Sequence, residues 1–114
     1  MIFISYSWAD SQAVHTLKWH LARAGCDAWI DFENLDLNTP LEAQVRQAVH
    51  DASRVLLLDS PHSRCSSWVT RELAWAQGAG IEVINWPVEV VKEQLGRPNN
   101  GLHLTTKVSS LVGR

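Results

Sequence analysis

Hydrophobic positions along this chain follow two alternating patterns. Short apolar runs of the length of β-strands occur at residues 2–6, 26–30, 54–59 and 81–86. Between these runs, apolar residues recur every three or four positions, which predicts helices over residues 11–24, 41–52 and 67–77. The run at 54–59 has apolar side chains at consecutive positions, as do strands that are buried on both faces in parallel sheets.

Residues typical of helix ends support these boundaries. Asp10 stands in the N-cap position of the first helix, and Gly25 follows its last residue. Residues 39–42, Thr-Pro-Leu-Glu, have the form of a capping box with proline at the first helical position. The second predicted helix therefore has the clearest start signal in the chain.

The C-terminal part is less sharply patterned. Residues 88–95 fit either a helix or a strand, and the glycines, asparagines and proline of residues 96–101 predict a loop. Residues 102–108 are apolar enough to add a fifth strand at the edge of a sheet.

Alternating strands and helices with short links predict an α/β fold, in which a parallel sheet has helices on both faces. We expect the flavodoxin-like strand order 2-1-3-4-5. Ligands in such sheets bind beyond the C-terminal strand ends, where the strand order reverses, here between the first and third strands. Three predicted loops meet at that point: residues 6–10, 31–38 and 60–67.

Composition narrows the function. A chain of 114 residues with 46% hydrophobic residues has a core for one domain, spanning residues 1–114. Its net charge of −2 and scattered basic residues argue against nucleic acid as a partner. The apolar runs are too short for a membrane span, and two cysteines without motif spacing fit reduced thiols, so we expect a cytoplasmic protein.

The serine-rich segment at residues 60–72 leads into a helix that carries Trp68 and Glu72 four positions apart. This spacing places a ring and a carboxylate on one helix face, which makes the pair a candidate site. A lone helical glutamate is usually a solvated surface group, and a tryptophan in the first helical turn is as often core packing as a ligand platform. Tyr6 likewise fits a core position at a strand end.

Other chemistries have weaker support. The five histidines show no metal-binding spacing, so we predict no metal. Asp59 stands where a receiver domain has its phosphorylated aspartate, but that chemistry needs an acidic pair after the first strand, and Tyr6-Ser7-Trp8 supplies none. A glycine-rich phosphate loop is absent as well.

Three segments of the chain resemble the signature boxes of the Toll/interleukin-1 receptor (TIR) domain family. They are Phe-Ile-Ser-Tyr-Ser at residues 3–7, Asp-Ala-Trp-Ile-Asp at 27–31, and the whole of residues 60–72. Three boxes in the right order are far more specific than any one of them. The resemblance covers residues 1–86, whereas residues 87–114 match poorly. It is closest to the bacterial branch, whose members often cleave NAD or cyclise its ADP-ribose product.

The resemblance implies roles for individual residues. Glu72 falls on the family's catalytic glutamate, Trp68 on the aromatic residue before it, and Ser66 on a substrate-binding serine. Further substrate contacts are expected in the first loop and in the mobile second loop, at Tyr6, Ser7, Trp8, Asp31 and Leu35. The second loop, residues 31–38, is also where we expect self-association, through the apolar side chains Phe32, Leu35 and Leu37.

The function that this resemblance implies is cleavage of the nicotinamide–ribose bond of NAD, with NAD as substrate and no cofactor. Nicotinamide leaves as a neutral molecule from a cationic precursor, so one carboxylate beside the developing positive charge is chemically sufficient. The resemblance further implies anti-phage defence signalling in bacteria, with other TIR domains or a downstream effector as partners. The alternative is a non-catalytic TIR interaction module that acts in signalling or interferes with host signalling.

Overall fold

The computed structural model describes residues 1–30 and 40–95, with side chains up to residue 92. The strands are β1 Ile2–Ser5, β2 Ala28–Trp29, β3 Arg54–Asp59 and β4 Val83–Pro87. The helices are α1 Ser11–Arg23, α2 Leu41–Asp51, α3 Pro61–Arg64, α4 Ser67–Gly78 and α5 Val88–Leu95. A 3-10 turn, Trp8–Asp10, precedes α1.

The described strands form one parallel sheet in the order β2-β1-β3-β4. Ile4 of β1 pairs with Leu56 of β3, and Leu56 pairs in turn with Ile84 of β4. This confirms the predicted α/β fold class and the order of the first four strands. The fifth strand predicted at residues 102–108 lies outside the described residues.

Alternate side chains of the central strands divide the core into two layers. Ile2 and Ile4 of β1 pack with the buried residues of α1 and α5 on one face of the sheet. Phe3, between them, packs on the other face with residues of α2 and α4. Helices therefore cover both faces, as predicted from the alternation of elements.

Three strands differ in length from their predicted ranges. The first ends one residue early, at Ser5, and the second and fourth start late because neighbouring helices use their first residues. The predicted second strand, 26–30, is reduced to β2 since the Cys26 amide bonds the Leu21 carbonyl and closes α1 through Gly25 at φ 77°. The predicted fourth strand, 81–86, starts late because the Ile81 amide bonds the Ala76 carbonyl of α4. It also includes Pro87, which pairs with Asp59 at the end of the ladder.

The three predicted helices start where expected, at Ser11, Leu41 and Ser67, but the capping of the first two departs from prediction. Asp10 stands in the N-cap position of α1 but makes no capping hydrogen bond, and its carboxylate accepts a hydrogen bond from Ser60 Oγ instead. The 3-10 turn before α1 is capped by Ser7. Pro40 is the residue before α2 rather than its first helical residue, and Thr39 lies outside the described residues. The short α3 was not predicted, and the ambiguous segment 88–95 is helical.

Within residues 1–30 and 40–95, none of the helices has both the length and the apolar character that crossing a bilayer requires.

Candidate functional site

A groove with a volume of about 660 Å³ opens between the loops that follow β1 and β3. Its position, beyond the C-terminal ends of adjacent central strands, is where ligands bind in sheets of this order. The described residues that line it are Tyr6, Ser7, Trp8, Pro61, His62, Cys65, Ser66, Ser67 and Trp68. The structure therefore brings the first and third candidate segments together around one cavity.

One wall is built by the chain that leaves β1. Tyr6 is buried in the core layer of α1 and α5, and its side chain also lines the groove. Ser7 caps the 3-10 turn by accepting a hydrogen bond from the Ala9 amide at 3.3 Å. Trp8, in the first position of that turn, is 68% exposed, which leaves its ring accessible to a ligand.

The other wall is built by α3 and the first turn of α4, and serine caps determine its shape. Ser60 and Ser63 bond each other reciprocally at the start of α3, with Pro61 in the first turn. Ser66 caps α4 by accepting from the Val69 amide at 3.2 Å. The serine cluster that stood out in the sequence is thus explained by two consecutive helix starts.

Glu72 is a buried side chain, 3% exposed, and not the surface carboxylate expected of a lone helical glutamate. It lies on the inner face of α4 together with Val69 and Ala76. Its Oε1 accepts a hydrogen bond from Ser5 Oγ at 2.8 Å, and Ser5, the last residue of β1, is fully buried. The carboxylate therefore lies behind the groove, between α4 and the end of β1, and is not among the side chains that line the groove.

Trp68 has two kinds of contact. It lines the groove, and it also packs against the core layer of α2 and α4, where its ring meets Trp75 edge-on at 6.2 Å. The Arg71 guanidinium lies 5.6 Å from the Trp68 ring centre. Trp68 therefore packs against the core, as one interpretation of the sequence expected, and also lines the groove. Its role as a ligand platform stays a prediction.

Several residues near the groove have partners that the sequence did not predict. Ser60 Oγ donates to the buried Asp10 carboxylate, which joins the two groove walls. Asp59 forms a bidentate pair with Arg64, in which both nitrogen–oxygen distances are 3.0 Å. The hydrogen bond from Arg64 lowers the pKa of Asp59. A sequence signal existed only for Ser60, as the N-cap residue before Pro61.

The second candidate segment cannot be added to this geometry. Asp31, Phe32, Leu35 and Leu37 lie outside the described residues, so their predicted contacts stay predictions. In the part of the chain that the structure describes, histidine, cysteine and acidic side chains nowhere form a cluster of three or more suited to a metal ion.

Two solved structures that match the fold of this chain are TIR domains. The chain is similar to the TIR domain of the Toll-related receptor TRR-2 from Hydra magnipapillata, with a TM-score of 0.67 and 19% identity over 74% of this chain and 66% of that one. This chain thus spans just under two thirds of the Hydra domain. It is also similar to the TIR domains of the activated Roq1 resistosome, which recognises the pathogen effector XopQ. That match has a TM-score of 0.66 and 15% identity over 96% of this chain and 82% of the other.

At these identities the structural matches establish the fold alone, and no curated protein matches the chain. The sequence evidence is broader than any single motif, because the sequence model of the TIR domain family matches residues 2–107. That match includes all three boxes and runs beyond the segment that the boxes cover. This chain belongs to the TIR domain family.

Proposed function

We propose that this TIR domain consumes NAD by breaking the bond between nicotinamide and ribose, with Glu72 as the catalytic carboxylate. The observation that carries the proposal is the placement of Glu72. A nearly fully buried carboxylate bonds Ser5 at the C-terminal end of β1, one helical turn beyond the groove-lining Trp68.

The chemistry suits a single carboxylate. As the nicotinamide–ribose bond breaks, positive charge develops on the ribose, and nicotinamide departs with the bonding electron pair as a neutral molecule. Water then adds to the anomeric carbon and loses a proton, which gives ADP-ribose. A carboxylate held out of water interacts more strongly with that charge than a solvated one would. The hydrogen bond from the Ser5 hydroxyl holds this carboxylate in a fixed position.

The groove provides suitable surfaces for a dinucleotide. Tyr6, Trp8 and Trp68 offer aromatic rings against which a base or nicotinamide ring can stack. The first turn of α4, with Ser66 and Ser67 in the lining, directs backbone amides and the positive end of its dipole toward the cavity, where a phosphate would be favoured. NAD is the substrate in this proposal, and no cofactor or metal is required.

Self-association belongs to the same proposal. We infer that residues 31–38 of a neighbouring copy complete the substrate pocket, with Asp31 and Leu35 near the substrate and Phe32, Leu35 and Leu37 forming an apolar contact. In bacterial anti-phage defence, the product would act as a signal, as ADP-ribose or as a cyclic or conjugated form of it. Alternatively, the depletion of NAD would itself be the defence. Other TIR domains or a downstream effector are the expected partners.

The experiment is a measurement of nicotinamide release from NAD over a wide range of protein concentrations. Wild type should release nicotinamide, and Glu72→Gln should lose at least about a hundredfold in turnover, the usual cost of removing one charge-stabilising group. Glu42→Gln is the matched control, since Glu42 is an exposed carboxylate on α2, and it should keep full activity. No release by wild type at any concentration would refute the function, whereas an active Glu72→Gln protein would refute the role of Glu72.

The second candidate is a non-catalytic interaction module. It is favoured by the position of Glu72 behind the groove, since a carboxylate that bonds Ser5 and does not line the groove also fits a structural role. The same assay separates the two functions, because an interaction module predicts no nicotinamide release together with concentration-dependent association that Leu35→Asp abolishes.

A further inference from the structure

Asp10 is a buried acidic residue that takes no part in the proposed cleavage of NAD. It is 2% exposed, ends the 3-10 turn after β1, and makes no capping bond to α1. Burying a carboxylate costs free energy unless hydrogen bonds and a compensating charge replace its contacts with water. A buried aspartate at this position therefore needs partners from other parts of the fold.

Its hydrogen-bonding partner is Ser60, which is also 2% exposed. Ser60 Oγ donates to Asp10 Oδ2 at 2.5 Å, across a separation of 50 residues in sequence. The second oxygen, Oδ1, makes no hydrogen bond with the described residues and lies 3.8 Å from Lys92 Nζ of α5, a lysine that is 52% exposed. The lysine compensates the charge, while the serine provides the directed contact.

The Asp10–Ser60 hydrogen bond joins the two walls of the groove. Asp10 ends the turn that carries Trp8, and Ser60 starts the helix that carries His62. Ser60 is itself fixed, because its amide donates to Ser63 Oγ at 2.8 Å and its hydroxyl accepts from the Ser63 amide at 3.0 Å. A displacement of one wall must therefore either move the other wall or break this hydrogen bond.

We propose that Asp10 is a positioning residue that sets the separation of the groove walls through its hydrogen bond to Ser60, and thereby the affinity of the groove for its nucleotide. The inference rests on the proposed function, in which this groove is the NAD site. Asp10 touches no substrate in this arrangement, so its loss should weaken binding while the chemical step at Glu72 proceeds at nearly its normal rate.

The test combines kinetics with a measurement that needs no substrate. Asp10→Ala should raise KM for NAD about tenfold, the factor that corresponds to one lost hydrogen bond, and leave kcat within about twofold. In the protein without NAD, the same variant should raise amide hydrogen exchange in residues 7–9 and 62–66, with exchange in α2 unchanged. Asp10→Asn keeps an acceptor for Ser60 and should restore both readouts.

Two further variants separate positioning from general stability. Asp10→Ala/Ser60→Ala should raise KM no more than the larger of the single changes, because both remove the same contact. Lys92→Met removes the ion pair and keeps the hydrogen bond, so its KM and exchange should match wild type. The proposal is overturned if Asp10→Ala lowers the melting temperature but leaves KM and local exchange unchanged, or if Lys92→Met reproduces its effects. If wild type releases no nicotinamide, the exchange measurements alone decide on the positioning role.

Discussion

Replacing Glu72 tests whether its carboxylate is buried and bonded to Ser5, because loss of a buried carboxylate changes the free energy of unfolding more than loss of a surface one. Glu72→Ala would leave the fully buried Ser5 hydroxyl without the acceptor it now has at 2.8 Å. A buried donor that loses its partner costs about 1–3 kcal/mol, and the space vacated by the side chain adds to this. Removal of the carboxylate's own desolvation cost offsets part of the loss.

We therefore expect Glu72→Ala to lower the free energy of unfolding by about 2 kcal/mol, or the melting temperature by about 8 °C in a domain of this size. Glu72→Gln retains the shape and an acceptor for Ser5, so it should stay within about 1 kcal/mol of wild type. The glutamine variant is consequently the one in which a loss of turnover reports on charge and not on folding.

The assay is urea unfolding of wild type, Ser5→Ala, Glu72→Ala and the double variant. If the two residues share one contact, the double variant should be less destabilised than the sum of the singles by about 0.5–3 kcal/mol. Fully additive effects, or a Glu72→Ala protein as stable as wild type, would refute the buried hydrogen bond as the reason for the position of Glu72.

Three further outcomes follow from the described contacts and the proposed assembly. Trp68→Ala should lower the free energy of unfolding by about 2 kcal/mol, less than truncation of a fully buried ring, and should raise KM for NAD. Trp68→Phe should change the stability and KM less. Thermal melting and nicotinamide release measure the two effects. Leu35→Asp should reduce association and specific activity at high protein concentration, measured by light scattering and turnover. The lowered pKa of Asp59 means that its pair with Arg64 stabilises the fold above the ordinary aspartate pKa of about 4 and loses this contribution as pH falls further. The melting-temperature difference between wild type and Arg64→Gln should therefore shrink below about pH 4, and a difference independent of pH would contradict the pairing.

The order of helices and strands could be predicted from the sequence because each element has its own clear apolar pattern. Val55, Leu56 and Leu58 of β3 are buried as predicted, and Leu57 is half-buried. The helical spacing of Val14, Leu17 and Leu21 also corresponds to buried positions. Boundaries failed where a backbone amide bonds a neighbouring helix, as at Cys26 and Ile81, since such bonds depend on how helix and strand meet in three dimensions.

Contacts at the candidate site could not be predicted for a different reason. The spacing of Trp68 and Glu72 correctly placed both side chains on one helix, but nothing in the sequence near Glu72 indicated that α4 turns this carboxylate toward Ser5, 67 residues away. The contact of Asp10 was likewise not indicated by nearby residues, which suggested only that Asp10 caps the first helix. Its true partner, Ser60, is adjacent only because β1 and β3 lie side by side.

The distribution of buried polar residues supports a functional site at this edge of the sheet independently of the family. Burying polar groups costs free energy that a purely structural core avoids, so a concentration of them in one place is typical of a site that needs fixed polar groups. Among the described residues, five buried polar or charged side chains lie after β1, after β3 or on the helix packed against β1. They are Ser5, Asp10, Ser60, Ser63 and Glu72. His20, which is also buried, lies apart on α1. If these residues served stability alone, apolar replacements of similar shape would be neutral or stabilising and would leave the groove's ligand affinity unchanged. The hydrogen bond from Ser5 fixes the Glu72 carboxylate behind the groove, and the one from Ser60 to Asp10 joins the two groove walls. This rigidity is what the proposed role of Glu72 as a catalytic carboxylate requires of its surroundings.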